Sequence, residues 1–174
     1  MKSSIAMIGF MGVGKTSVAR ALATRLGKEF VEMDAIIEQK AGKSTPEIFQ
    51  QDGEIAFREL EIAVAKEVSR RQNAVIACGG GVVLNRINID RLKQECIIVY
   101  LSAAPSVILE RTSGSDRPLL RTEDRAFAVR KLLEFRQPFY ERAADIEIDT
   151  SELDVDAVAE QIITRIKVYE GYDS

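Results

Sequence analysis

The amino-acid sequence predicts an α/β fold, a parallel β-sheet with helices on both faces. Short apolar runs alternate with helix-length segments along the whole chain, and parallel neighbours need such crossovers between them. The stretch GFMGVGKTS, residues 9–17, matches G-x-x-x-x-G-K-[ST] without a mismatch and lies between the first apolar run and the first helical segment. No repeat, low-complexity linker or boundary interrupts the pattern, so one domain is expected over residues 1–174; with 46% hydrophobic residues it can bury a substantial core.

Taken in order, the apolar runs 5–8, 30–33, 74–77, 97–101 and 146–148 read as short buried strands. Helical patterns occupy 15–26, 35–40, 54–71, 106–111, 123–140 and 155–168. STPE at 44–47 is a capping box with proline in the first turn. In such sheets ligands bind at the carboxyl ends of the strands, which directs attention to the segments that follow them.

The first is the glycine-rich loop. Glycines allow successive N–H groups to converge on one anion, and the helix that follows adds its positive dipole end. Gly12, Val13, Gly14, Lys15, Thr16 and Ser17 would form the cradle of a nucleoside triphosphate. Lys15 would reach the β- and γ-phosphates, and Thr16 would hold Mg²⁺. The apolar run in MKSSIAMIGF leads straight into this loop, so it is read as a strand and not as a secretion leader.

Composition narrows the remaining classes. The net charge of −3 provides no basic field for nucleic acid or an anionic membrane, and no apolar stretch approaches the ~20 residues of a membrane span. Cys78 and Cys96 are too few for a disulfide framework and read as buried thiols of a cytoplasmic protein. The chain has no histidine, which excludes histidine bases and Ser-His triads. A monomer is the default expectation.

FVEMD brings Glu32 and Asp34 to the edge of the second strand, with the same side-chain direction expected for both. They could serve Mg²⁺, a metal-bound water or a substrate hydroxyl; alternatively, Asp34 simply caps the next helix. Gly79, Gly80 and Gly81 after the third strand are either a flexible turn or a place where something approaches the backbone closely. Arg58 and Arg136 lie in helical patterns, where arginines are commonly solvated charges. Arg117 lies in TSGSDRPL, a connector with the composition of a mobile lid.

Together, IGFMGVGKTSVARALA, MDAIIEQKAGKSTPEIFQQDGEIAFRELE, VIACGGGVV, RPLL and RQPFYERAAD resemble shikimate kinase, in order, from about residue 5 to about residue 150. The resemblance implies a P-loop kinase fold related to nucleoside monophosphate kinases, with strand order 2-3-1-4-5. It implies transfer of the ATP γ-phosphoryl to the 3-hydroxyl of shikimate in aromatic amino-acid biosynthesis, with ATP and Mg²⁺. It gives Lys15 and Thr16 to the triphosphate and metal, Asp34 to the acceptor hydroxyls, and Arg58 and Arg136 to the acceptor carboxylate. Gly79, Gly80 and Gly81 would line the acceptor pocket, with Phe57 against the ring, and Arg117 would cover the phosphates.

By the same resemblance, residues 34–61 form a substrate-binding helical segment and 112–122 a lid. DTSELDVD, residues 149–156, lies where the adenine loop is expected. One position departs from the family: Glu32-Met33-Asp34 stands where D-x-D is usual, so Glu32 is expected to serve the metal through water. Lys15, Asp34 and Arg117 are the expected catalytic set. The alternatives are another small-metabolite kinase, such as a gluconate kinase, and a nucleotide-binding module without turnover.

Overall fold

A computed structural model describes residues 1–114 and 117–171. Its centre is a five-stranded sheet in the order β2-β3-β1-β4-β5, in which every pairing is parallel. The strands are β1 (Ser4–Ile8), β2 (Glu29–Glu32), β3 (Ala74–Ala77), β4 (Cys96–Ser102) and β5 (Ile146–Asp149). β1 pairs on both sides, Met7 opposite Ala77 of β3 and Val99 of β4, and all its residues are buried. That explains its unbroken apolar run, because a central parallel strand has no wet face. β5 lies at an edge and alternates instead, with Ile146 and Ile148 inward and Glu147 and Asp149 outward.

The helices are α1 (Lys15–Leu26), α2 (Met33–Ala41), α3 (Thr45–Gln51), α4 (Glu54–Val68), α5 (Arg86–Glu95), α6 (Pro105–Arg111), α7 (Arg125–Ala143) and α8 (Val155–Tyr169). The crossover from β1 to β2 runs one way across the sheet and all later ones run the other, so right-handed crossovers put α1, with α8 against it, on one face and α4, α5 and α7 on the other. Local chemistry starts several of these helices. Ser44 accepts the Glu47 N–H at 3.3 Å, Asp124 the Phe127 N–H at 3.0 Å, and Asp154 the Ala157 N–H at 2.7 Å. Cys78 and Cys96 are buried free thiols, and burial pushes both well above the ordinary thiol range.

Two expectations need correction. The second strand stops at Glu32, and Met33 already opens α2. Met33 and Ile37, one turn apart, are both fully buried, and their burial converts the chain from strand to helix without an intervening loop. Asp34 therefore lies in the first turn of a helix, and the strand-face reason for pairing it with Glu32 fails. The N-cap residue is Glu32, so Asp34 is not the cap. The other correction is an omission: α5, RINIDRLKQE, was not anticipated, because only Ile89 and Leu92 among its apolar residues are buried.

Candidate active site

β1 and β3 end side by side at the point where the strand order reverses, and the segments after them form the floor of a cleft. The cleft has two lobes, of about 360 and 390 Å³, which share Met11, Glu32, Asp34, Gly80 and Arg117 along their common wall.

The first lobe is built on the glycine loop. A Cβ at Gly9 would lie 2.4 Å from the Leu101 carbonyl oxygen, so only glycine lets the loop leave β1 against β4. Gly14, at φ +96°, is the N-cap of α1, and no side chain caps the free N–H groups there. Gly12, Gly14, Lys15, Thr16 and Ser17 all line this lobe. Val13 does not: its side chain is buried in the core. The Lys15 ammonium donates to the carbonyls of Gly9 at 2.6 Å and Phe10 at 3.0 Å. Burial lowers its pKa to about 8, against the opposing pull of Asp34.

The Thr16 hydroxyl donates to Glu32 Oε1 at 3.0 Å. That bond spends the hydroxyl proton on the carboxylate and leaves the oxygen lone pairs free for a cation. A hydroxyl backed by one carboxylate suits Mg²⁺, which keeps most of its waters. Thr16 and Glu32 therefore fit the metal expected of them.

The second lobe is lined by Phe49, Phe57, Arg58, Glu61, Arg117 and Arg136, among others, over the backbone of Gly79, Gly80 and Gly81. Arg136 is 2% exposed, and no carboxylate of the described residues pairs with it. A buried guanidinium without a counterion is a strong demand for an anionic ligand. Arg58 has two partners, Glu61 at 3.0 Å and Glu54 at 3.3 Å. Glu61 is fully buried and Glu54 half exposed, so Glu61 is the one that fixes the guanidinium.

Burial raises the pKa of Asp34, with Lys15 pulling the other way, and its Oδ1 is shielded from solvent with no hydrogen-bond partner. Such an oxygen is positioned to receive a hydroxyl proton from a ligand.

Crowding accounts for glycine at 79 and 81, whereas a Cβ at Gly80 would meet nothing closer than 3.4 Å. None of the three has a positive φ, but a Cβ at Gly79 would come within 2.9 Å of Asp34 Oδ1 and 3.0 Å of Glu61 Oε2. At Gly81 it would meet the Arg58 guanidinium at 2.1 Å. Tyr140 secures the turn from below, donating to the Gly80 carbonyl at 2.5 Å.

The connector expected to be a lid begins at Thr112, whose carbonyl accepts from Arg125 Nη2 at 2.7 Å, so its start is tied to the first residue of α7. Arg117 lines both lobes; Ser115 and Asp116 lie outside the described residues. Arg111 donates to the carbonyls of Val13 at 3.3 Å and Thr150 at 3.0 Å, joining the stretch 149–156 to the glycine loop.

Several residues of the cleft had not been singled out. Glu61 stands three residues after Arg58 within the G-E-x-x-F-R-x-x-E pattern, and that spacing was the available signal. Glu38, one turn after Asp34, accepts the Thr45 N–H at 3.1 Å and fastens α2 to the start of α3. Met11 and Arg111 carried no signal that separates them from ordinary loop and helix-end residues.

The family model for shikimate kinase matches residues 11–167. The shikimate kinase of Caldanaerobacter subterraneus subsp. tengcongensis is 48% identical over 161 residues, covering 92% of this chain and 94% of that protein. A solved shikimate kinase from Acinetobacter baumannii, in complex with shikimate, superimposes with a TM-score of 0.92 at 38% identity, over 95% of this chain and 93% of that one. A gluconokinase from Sinorhizobium meliloti gives a TM-score of 0.61 at 20% identity, over 98% and 95%, a likeness of fold alone.

Proposed function

Because the chain belongs to the shikimate kinase family, and so transfers the ATP γ-phosphoryl group to the 3-hydroxyl of shikimate with Mg²⁺, we propose a role for each side chain that lines its cleft. The first lobe takes the triphosphate. Gly12, Gly14 and Ser17 contribute to the cradle, and Val13 contributes through its backbone only. Lys15 leaves the two loop carbonyls and follows the γ-phosphoryl. Mg²⁺, held by the Thr16 hydroxyl and by Glu32 through water, supplies neutralisation of the phosphate oxygens when bound.

The second lobe takes shikimate. Its carboxylate lies between Arg58 and Arg136, whose planar forks set orientation as well as charge, and Phe57 and the glycine backbone face the ring. Asp34, on the wall between the lobes, accepts the proton of the 3-hydroxyl. That oxygen bonds to the γ-phosphorus as the bond to the β,γ-bridging oxygen breaks, and ADP departs with the displaced electron pair. Arg117, facing both lobes from the 112–122 segment, balances the charge in transfer and covers the site against water. Residues 34–61 act as the acceptor-binding segment, and 149–156 as the adenine side.

The observation that carries the assignment is Arg136, buried and cationic in the acceptor lobe and ion-paired to no carboxylate among the described residues. A linear polyol acid would leave the ring-facing Phe57 side of the lobe unfilled, which favours shikimate over gluconate. No helix among the described residues is long and apolar enough to cross a membrane, and for a biosynthetic enzyme of this kind we place the activity in the cytoplasm. The test is ATP consumption with shikimate, with gluconate and with no acceptor. Turnover on shikimate alone is expected; equal turnover on gluconate, or none on either, would overturn the assignment.

A further inference from the structure

Behind the acceptor lobe lies another cavity, of about 500 Å³, that phosphoryl transfer does not use. Its walls come from α5, α7 and the 3-10 turn Val82–Leu84. Val83, Ile89 and Phe139 supply apolar surface, and Arg86, Lys93 and Arg142 supply charge. Asp90 is the single acidic lining residue, 3.6 Å from Arg86. Three cations against one acid leave the cavity positive, on a chain whose net charge is −3.

Lys93 and Arg142 have no carboxylate partner among the described residues. The Arg142 guanidinium lies over the Phe139 ring, 4.9 Å from its centroid, so a cation and an aromatic surface are presented together. An inorganic anion would leave the apolar walls unused, and a neutral apolar molecule would leave the cations unused.

We propose that this cavity is a second binding site, for a small organic anion with an aromatic body, and that its occupancy changes how tightly the acceptor lobe holds shikimate. The two sites have no lining residue in common, but the same two stretches of chain run from one to the other. The 3-10 turn continues directly from the glycine triplet, with the Val82 N–H on the Gly79 carbonyl and the Leu84 N–H on the Gly81 carbonyl, both at 3.1 Å. α7 presents Arg136 to the acceptor lobe and Phe139 and Arg142 to the cavity, while Tyr140 between them holds Gly80. A ligand wedged between the turn and α7 therefore bears on both the backbone and the arginine that receive the acceptor. The coupling, though not the binding, rests on the acceptor lobe being where shikimate sits.

The test is calorimetric titration of the intact chain with 3-phenylpropanoate in saturating shikimate, so that the acceptor lobe is already filled. 3-Phenylpropanol and acetate serve as probes lacking the charge and the aromatic body. Saturable binding of 3-phenylpropanoate is expected, weakened about tenfold or more by the double substitution Lys93→Gln and Arg142→Gln, which removes two charged contacts at the rim. In wild type the probe should move the KM for shikimate by about fivefold, and it should leave that KM unmoved in the double variant. No saturable binding, equal binding by the double variant, or equally tight binding of 3-phenylpropanol would overturn the site. Binding that leaves the shikimate KM unchanged would overturn the coupling.

Discussion

In the lobe assigned to the triphosphate, one short stretch, Met11 to Ser17, supplies the largest share of the lining, and the ends of β2, β3 and α6, the start of α2 and the connector after α6 supply the rest. In the lobe assigned to shikimate it comes from side chains of α2, α3, α4, α7 and the connector after α6, gathered over a glycine triplet. On the proposed assignment the first lobe would recognise a polyanion with peptide N–H groups and one ammonium. The second would recognise one carboxylate and a few hydroxyls with guanidinium and carboxylate groups that must be desolvated, paired and aimed. Generality goes with backbone, and specificity with buried side-chain charge whose uncompensated burial would be costly.

Asp34, on the shared wall, offers the hardest test of that contrast. Asp34→Asn keeps the shape and removes the proton acceptor, so turnover should fall by roughly a thousandfold while the KM values for ATP and shikimate stay close to wild type. A mild loss would mean that the wall only positions substrates. Lys15→Ala should lower turnover by roughly a hundredfold, the scale of one lost electrostatic stabiliser. Steady-state kinetics on a variant with wild-type circular dichroism decides it, and near-normal turnover would remove Lys15 from the chemistry.

Arg136→Lys keeps charge and loses the planar fork, so the KM for shikimate should rise about tenfold with that for ATP nearly unchanged. If both KM values move together, the two lobes are not separable as described. A smaller effect follows from the lowered pKa of Lys15, about 8. The triphosphate binds the protonated amine better, so ATP affinity, measured without Mg²⁺, should decline as pH rises through 8, with net proton uptake on binding above that pH. Affinity that rises with pH would contradict the burial of this group. Glu32→Asp should be the mildest, within about twofold in turnover, because a carboxylate acting through water tolerates a methylene; a severe loss would mean direct contact with the metal.

The same contrast decides how much could be read before the fold was known. The contiguous part of the triphosphate lobe, residues 12–17, was legible except for Val13, since a pattern does not say which residue of a loop turns inward; Met11 and Arg111 line the same lobe and carried no signal. The shikimate lobe needed the resemblance to assemble it. Asp34 and Glu32 do meet in the cleft, but through a strand that becomes a helix at Met33, a change set by the burial of Met33 and Ile37 that periodicity over four residues cannot register. Glycine at 79–81 was legible as close approach, although the structure shows neighbouring side chains of the protein itself at those distances. Glu38 was hidden because its partner, the Thr45 N–H, meets it only when α2 and α3 come together, and the spacing of Glu61 from Arg58 announces the pair but not the burial that gives it weight.

The two carbonyls that hold the Lys15 ammonium have one further consequence. If Lys15 serves the triphosphate as proposed, they are a tethered competitor for it: a nucleotide that takes the ammonium displaces them, and they return when it leaves. Such a competitor weakens the hold on ADP as well as on ATP. On that assignment the loop would trade residence time for exchange, with the groups that help to expel the spent nucleotide already in place.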